Sequence, residues 1–163
     1  MDSIETKNII SKKVVTFKKE AKVKDIAAKM SKANISCVII VENKKPIGVI
    51  TERDMIKKVI AVKTDPDKLM AVDIMTFPVV TVTEDVGLIA IAQLMRKQHI
   101  RRVVVTKAGE LKGLITQTDI MEGMISKIKH LNWQLVHTEI SLDEYIDSLK
   151  KIQLDTVTKK KGK

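Results

Sequence analysis

Gly48-Val49-Ile50-Thr51-Glu52-Arg53-Asp54 and Gly113-Leu114-Ile115-Thr116-Gln117-Thr118-Asp119 are two copies of one heptad, standing 65 positions apart. Each copy has a glycine, two apolar residues, a threonine, two variable residues and an aspartate. The same offset aligns their surroundings without a gap, since Val14-Val15-Thr16 falls on Val79-Val80-Thr81 and Ile26-Ala27 on Ile91-Ala92. An ungapped repeat predicts two copies of one supersecondary unit, with equivalent site positions in both.

The composition is that of a globular protein with an aliphatic core. Of the 163 residues, 44% are hydrophobic and 31% charged, but only 2% are aromatic. The single cysteine, Cys37, excludes an intramolecular disulfide and favours a reducing, cytoplasmic setting. The sequence contains no apolar run long enough for a membrane span and no signal-peptide pattern at Met1. These features predict a protein that neither spans nor binds a membrane.

Apolar periodicity predicts the same order of elements in both copies, namely strand, helix, strand, strand, helix. In the first copy the elements are expected at residues 14–17, 23–33 (ending at Asn34), 37–41 and 47–50, with a turn at 43–46 and a second helix from about residue 55. In the second copy they are expected at residues 79–82, 89–98, 103–105 and 111–115, with a turn at 107–110 and a helix from about residue 118.

The repeat divides the chain into five predicted segments. They are unit 1 (8–62), a connecting helix or linker (63–73), unit 2 (74–125), a helical appendage (126–153) and a basic, disordered tail (154–163). Thr64-Asp65-Pro66-Asp67 predicts a helix start in the linker, because proline is tolerated in a first turn. Ser141 and Glu144 have the spacing of a capping box, which predicts a further helix in the appendage.

The heptad has two interpretations when it is judged from its residues. Threonine followed by aspartate three residues later, before an apolar run, is also a helix-capping box. Thr51 and Thr116 would then simply cap the helices that follow, and Asp54 and Asp119 would add favourable charge at the helix starts.

The second interpretation is a ribonucleotide site. A strand that runs into a helix presents free N–H groups to an anion, an aspartate can accept hydrogen bonds from a ribose diol, and a threonine hydroxyl can donate to a phosphate. Arg53, Arg101 and Arg102 offer forked donors for phosphate oxygens. The apolar side chains suited to the faces of a purine are Val15, Ile35, Val80, Ile100 and Leu114.

With these heptads and this strand pattern, the chain closely resembles a tandem of CBS domains, named after cystathionine β-synthase. Ile74-Met75-Thr76 resembles the lead-in of that family, and the likeness spans roughly residues 8–125. It implies an α/β (α+β) fold of two pseudo-symmetric β-α-β-β-α units packed sheet to sheet, plus a C-terminal helical extension. It also implies two clefts that bind AMP, ADP, ATP or S-adenosylmethionine as regulatory ligands.

The resemblance further implies that each cleft takes its Thr-x-x-Asp from one unit and its base-facing wall from the other. One cleft would use Thr116, Thr118 and Asp119 with Arg101, closed by Val15, Ile35 and Ser36. The other would use Thr51, Arg53 and Asp54 with Ser36, closed by Val80, Ile100 and Arg101. The units differ at Ser36 against Arg101 and at Arg53 against Thr118, so unequal affinities are expected, with neither cleft ranked first.

The other reactive residues predict no enzyme and no metal site. His99, His130 and His137 lack the acidic or cysteine ligands that would complete a metal set. Cys37 is expected to be buried and inert, and Trp133 to anchor the packing of the appendage. The methionines expected in the core are Met30, Met55, Met95, Met121 and Met124. No positioned acid, base or nucleophile stands out.

The predicted function is a non-catalytic regulatory module that binds an adenosine-containing ligand and transmits its occupancy to an unidentified partner protein. The resemblance implies a homodimer, and the single cysteine favours a cytoplasmic location. The net charge of +10 supports a rival hypothesis, a nucleic-acid-binding protein that uses its basic surface and tail, with the repeat as scaffold.

Overall fold

The computed structural model describes residues 9–137 and 140–157, with side chains up to residue 151. Within these residues, two three-stranded sheets and six α-helices form an α+β fold with a C-terminal helical extension, which confirms the predicted fold class. The strands are β1 (Thr16–Phe17), β2 (Cys37–Glu42), β3 (Lys45–Thr51), β4 (Thr81–Thr83), β5 (Arg102–Lys107) and β6 (Glu110–Thr116). The helices are α1 (Val23–Ala33), α2 (Glu52–Met55), α3 (Ala71–Ile74), α4 (Leu88–Lys97), α5 (Gln117–Val136) and α6 (Leu142–Val157).

The backbone divides by its contacts into two compact bodies. The β body comprises Ser11–Thr83 and Val104–Leu114, and the helical body comprises the described residues 9–10, Glu84–Val103 and the described residues after 114. The first sheet, in the order β1-β2-β3, lies wholly in the β body. Helices α4, α5 and α6 lie in the helical body.

The repeat offset survives in the strand register. β1 runs parallel to β2 with Thr16 opposite Ile39, and β4 runs parallel to β5 with Thr81 opposite Val104, so both partners shift by the same 65 positions. The Ile39 N–H donates to the Val15 carbonyl, and the Val104 N–H donates to the Val80 carbonyl, each at 3.1 Å. The two copies therefore build their parallel strand pairs in the same way.

The core of the β body is aliphatic, as the composition predicted. Helix α1 places Val23, Ile26 and Met30 at three- and four-residue spacing against the first sheet, and all three are buried. α1 ends at Asn34, which adopts the left-handed conformation at φ 51°. A second cluster joins Ile39 of the first copy to Val104 and Leu114 of the second.

In each copy, the segment before the first strand pairs with the last strand of the other copy's sheet. Ser11 pairs with Leu114 in β6 through two backbone hydrogen bonds, and Thr76 pairs with Val49 in β3 through another two. Because Ser11 and Thr76 are 65 positions apart, as are Val49 and Leu114, each copy closes the edge of the other copy's sheet.

Two predicted strands are shorter than expected at their N-terminal ends. The expectation of residues 14–17 is corrected to Thr16–Phe17, and that of residues 79–82 to Thr81–Thr83. The reason in the second copy is that the Val79 N–H donates to the Ile47 carbonyl of β3 instead of joining the ladder with β5. A backbone donor engaged by another strand cannot also extend its own ladder.

Pro46 was predicted in a turn but lies inside β3. The strand tolerates it because β3 is an edge strand and the register of β2 and β3 shifts between Ile40 and Val41, opposite the proline. The turn itself is reduced to Asn43 and Lys44.

The predicted helix start at residues 64–67 is wrong. The Asp65 side chain accepts a hydrogen bond from the Asp67 N–H at 3.0 Å, and the Asp65 carbonyl accepts from Lys68. Such local side-chain bonds favour a turn over a helix. The helix after the first heptad also differs from a plain α-helix, because α2 continues as a π-helix over Ile56–Ile60.

Three expectations of burial are corrected. Trp133 is half exposed and stacks on His137 with ring centroids 4.4 Å apart, so it does not anchor the packing of the appendage. Met121 is exposed on α5, whereas Met30 and Met95 are buried as predicted. Cys37 is only partly buried, because it lies at the start of β2.

The appendage forms helices, as predicted. The Ser141 and Glu144 side chains each bind the other residue's backbone N–H, which confirms the capping box at the start of α6. Tyr145 of α6 donates a hydrogen bond to Asn132 of α5. Residues 158–163 of the predicted tail lie outside the described residues. Among the described helices, none combines the length and apolar character that crossing a bilayer requires.

Candidate functional site

The first heptad forms a complete capping box at the junction of β3 and α2. The Asp54 N–H donates to Thr51 Oγ1 at 3.2 Å, and in return Thr51 donates twice to Asp54 Oδ2, from its N–H at 2.9 Å and from its hydroxyl at 2.6 Å. Because the threonine hydroxyl donates its hydrogen to the aspartate, it can act toward a further group only as a hydrogen-bond acceptor.

The second heptad has the same geometry at the junction of β6 and α5. The Asp119 N–H donates to Thr116 Oγ1 at 3.2 Å, while Asp119 Oδ2 accepts from the Thr116 N–H at 2.6 Å and from its hydroxyl at 2.7 Å. The capping interpretation is thus correct for both heptads. It does not exclude a ligand, because each box engages only one of the two carboxylate oxygens.

The remaining oxygens of the two aspartates have different surroundings. In the β body, Asp54 Oδ1 accepts from Thr76 Oγ1 at 3.3 Å and forms an ion pair with Lys58 Nζ at 3.3 Å. In the helical body, no described residue of that body donates to Asp119 Oδ1. Asp54 is therefore saturated within its body, whereas one oxygen of Asp119 remains open within its own.

Ser36 and Arg101 are brought beside the heptads by equivalent backbone contacts. The Glu52 N–H donates to the Ser36 carbonyl at 3.2 Å, and the Gln117 N–H donates to the Arg101 carbonyl at 3.0 Å. The first helical turn after each box is thereby tied to the residue that precedes the middle strand of the same sheet. The side chains of Ser36 and Arg101 are exposed.

The variable positions of the heptads point to solvent. Arg53 and Thr118 are exposed on the first turns of α2 and α5. Neither Arg53 nor Arg101 forms an ion pair with any residue that the structure describes. Both guanidinium groups can accordingly receive an anion without first giving up a carboxylate.

The predicted apolar lining is divided between the bodies. Val15, Ile35 and Val80 are half buried in the β body, and Ile100 is half buried in the helical body. Leu114 is buried in the cluster with Ile39 and Val104. In the β body, Ser36 therefore lies beside the box of Thr51 and Asp54. In the helical body, Arg101 lies beside the box of Thr116 and Asp119. The pairing of a heptad with the wall from the other copy remains a prediction.

Lys58 and Thr76 are site residues that the sequence interpretation missed. Lys58 follows Asp54 by four residues, which is the spacing of an acidic-basic pair on one helix face, so its signal was present in the sequence. Thr76 reaches Asp54 only because its backbone pairs with Val49 in β3. The sequence marked Thr76 as a lead-in residue but gave no sign of that contact.

Comparison with known proteins identifies the two repeats. Residues 7–61 and 71–126 each match the family model of the CBS domain. Uncharacterized protein MK0525 of Methanopyrus kandleri is 38% identical over 75% of this chain. The match covers 63% of MK0525, so the chain spans less than two thirds of the length of this relative.

Two solved structures with similar folds contain adenosine compounds. One is the CBS domain protein PAE2072 from Pyrobaculum aerophilum complexed with AMP, 26% identical, with a TM-score of 0.65 over 71% of this chain and 88% of that one. The other is the CBS domain pair of protein MJ0100 in complex with 5′-methylthioadenosine and S-adenosyl-L-methionine, 31% identical, with a TM-score of 0.65 over 72% of this chain and 97% of that one.

Proposed function

The chain belongs to the CBS-domain family, and we propose that it is a non-catalytic regulatory module that binds an adenosine-containing ligand at its Thr-x-x-Asp boxes. The proposed ligand is AMP, ADP, ATP or S-adenosylmethionine. The single observation that carries the proposal is the box at the start of α5, where Asp119 is fixed by Thr116 yet keeps one oxygen open within its body. Two similar CBS structures hold AMP and S-adenosyl-L-methionine.

In this proposal the aspartate recognises the ribose. A vicinal diol donates to the open carboxylate oxygen through charge-assisted hydrogen bonds, while the box keeps the carboxylate from rotating. The threonine hydroxyl, whose proton is already used, serves as an acceptor and as a positioning group. Thr118 and Arg101, and Arg53 at the other box, are exposed, and we expect them to bind phosphate oxygens.

The regulatory output follows from differential binding. A ligand shifts an equilibrium between two arrangements of the module only by the difference between its affinities for them. We propose that this shift is passed to a partner protein through a homodimer or the α5–α6 extension. Sedimentation with and without AMP at micromolar protein concentration tests the dimer, and a monomer under both conditions would contradict it.

The first experiment is a thermal-unfolding panel with AMP, ADP, ATP, S-adenosylmethionine, NAD and 2′-deoxy-AMP. Saturation at 100 times Kd stabilises a site by about 2.7 kcal/mol, which for a chain of this size raises the Tm by roughly 5–10 °C. A ribose clamp predicts a clear shift with a ribonucleotide and a much smaller one with 2′-deoxy-AMP.

The matched variant is Asp54→Asn combined with Asp119→Asn. Asparagine retains an acceptor for the threonine N–H and hydroxyl but replaces the second oxygen with a donor, so the helix cap persists while the diol loses its acceptor. The variant should keep both helix caps and lose the ligand shift, and its Tm without ligand should fall because the Asp54–Lys58 ion pair is lost. A full shift in the variant, or none with any ligand in wild type, would overturn the proposal.

The net charge of +10 favours one other function, the binding of nucleic acid through phosphate contacts. That binding would not depend on the aspartate boxes and would weaken steeply with salt. The double asparagine variant therefore separates the two functions, because it removes ligand binding and leaves phosphate-backbone contacts intact.

A further inference from the structure

We propose that the two boxes are unequal sites, that the Asp119 box is the principal ligand site, and that Lys58 acts as an internal competitor at the Asp54 box. This inference rests on the proposed function and ranks the two sites, which the sequence left unranked. The two boxes contain the same three internal hydrogen bonds. The difference lies in what approaches the second carboxylate oxygen.

The acceptor capacity of Asp54 is fully used inside the β body. A carboxylate has about four lone-pair positions, two on each oxygen. At Asp54 the two positions of Oδ2 receive the N–H and hydroxyl of Thr51, and Oδ1 receives Thr76 at 3.3 Å and Lys58 at 3.3 Å. A ribose diol that binds here must displace at least one of these donors.

Lys58 is held in place by backbone carbonyls as well as by its ion pair with Asp54. Its ammonium group donates to the Ile74 carbonyl at 2.7 Å and lies 3.4 Å from the Met75 carbonyl. The Asp54 side chain that it contacts is only 14% exposed. An ammonium group anchored by a backbone carbonyl and facing a largely buried carboxylate does not leave without losing both contacts.

The second copy lacks this competitor. The position equivalent to Lys58 is Gly123, which has no side chain and is buried in α5. Asp119 Oδ2 is used by Thr116, as in the first copy, but Oδ1 receives no donor from the described residues of the helical body. Two acceptor positions thus remain for a diol. The Arg101 backbone is tied to the first turn of α5 through the Gln117 N–H, and its guanidinium forms no ion pair with a described residue.

The consequence is a built-in difference in affinity. Binding at Asp119 adds charge-assisted hydrogen bonds, whereas binding at Asp54 exchanges existing ones for new ones. One such bond changes an equilibrium constant by about tenfold or more. Lys58 is therefore a specificity-determining residue for the first site, and its removal should release the second oxygen of Asp54.

The test is isothermal titration with AMP and, separately, with S-adenosylmethionine, on wild type and three variants. Asp119→Asn should weaken the tighter binding step by at least about tenfold, and Asp54→Asn should change that step much less. Lys58→Met, which keeps the length of the side chain without its charge, should strengthen the weaker step by about tenfold. Lys58→Gln, which retains a donor for the Ile74 carbonyl, is the substitute if Lys58→Met does not fold.

The outcomes separate this inference from the function on which it rests. Equal losses in the two asparagine variants, or weaker binding in Lys58→Met, overturn the ranking while leaving the ligand-binding function intact. Absence of binding of AMP and S-adenosylmethionine to wild type and to Lys58→Met overturns both. Tighter binding in Lys58→Met together with a selective loss in Asp119→Asn supports the proposal.

Discussion

Lys44 and Gly109 occupy the same position in the two β-hairpins, 65 residues apart, and both have a positive φ, 64° for Lys44 and 80° for Gly109. The residues before them, Asn43 and Ala108, are also at positive φ, 49° and 50°. Two successive residues at positive φ are the requirement of the tight hairpin turn whose twist matches the flanking strands. The first hairpin meets this requirement with a lysine and the second with a glycine.

The two positions should therefore respond oppositely to substitution. Lys44→Gly should raise the free energy of unfolding by about 0.5–1 kcal/mol, because the side chain no longer opposes the left-handed conformation. Gly109→Ala should lower it by about 1 kcal/mol. A Cβ at Gly109 would approach only the Lys45 side chain, at 3.9 Å, so the cost is conformational and not steric. Urea unfolding followed by circular dichroism measures both, and changes of the same sign would contradict the assignment.

The capping box of the long helix α5 should be measurable by itself. Thr116→Ala removes the acceptor for the Asp119 N–H and should cost about 1 kcal/mol of unfolding free energy. Thr116→Ser keeps the hydroxyl and serves as the matched control, with a change within about 0.5 kcal/mol. If alanine and serine have the same effect, the hydroxyl does not cap the helix in solution.

Gly48 is required by a close approach of Met75. A Cβ at position 48 would lie 2.6 Å from Met75 Sδ and 3.1 Å from its Cγ, so Gly48→Ala forces the methionine to move. The expected loss of stability is about 1–3 kcal/mol. In a Met75→Ala background the same substitution should cost clearly less, because the clash is absent. A double-mutant cycle by urea unfolding measures the coupling, and strict additivity would disprove the contact.

The cluster that joins the two copies should be essential to stability. Ile39 is fully buried against Val104 and Leu114, so Ile39→Ala should cost about 2–5 kcal/mol. Ile60 is 69% exposed, and Ile60→Ala should change the unfolding free energy of the single chain by no more than about 0.5 kcal/mol. A large cost at Ile60 that grows with protein concentration would indicate a partner surface there.

Ligand binding should be independent of the basic tail. Deleting residues 158–163 removes four lysines, so it should weaken any nucleic-acid binding and reduce its dependence on salt. The Tm shift with AMP should persist in the truncated protein, because none of the residues of the two boxes is removed. A shift that disappears with the tail would instead assign the ligand contacts to the lysines.

Much of the fold could be predicted because apolar periodicity is a local property. Helix α1 was predicted with its observed bounds, since Val23, Ile26 and Met30 share one face and Asn34 accepts a left-handed stop. The errors arose where distant backbone decides the local structure. Val79 donates to Ile47 instead of extending β4, and Pro46 fits β3 only because that strand lies at an edge with a shifted register.

The site could be predicted only in part for the same reason. Thr51, Asp54, Thr116 and Asp119 are marked by their spacing, because a capping box is a contact between residues three positions apart. Lys58 was overlooked although it lies one helical turn from Asp54, since an acidic-basic pair of this spacing usually lies on a solvated face. Thr76 has no local signal, because 22 positions separate it from Asp54.

The sequence alone determined that two equivalent units exist and that each carries a threonine-aspartate box before a helix. A repeat and a capping box are both defined by the spacing of residues along the chain, and this spacing does not depend on tertiary contacts. The tertiary structure decided that the two boxes differ. Lys58 faces Asp54 Oδ1 from the next helical turn, but the Ile74 carbonyl that anchors it lies on a distant segment, and Thr76 reaches the same oxygen only because its backbone pairs with Val49. Which lone pairs remain open to a ligand depends on such long-range contacts, and no local pattern records them.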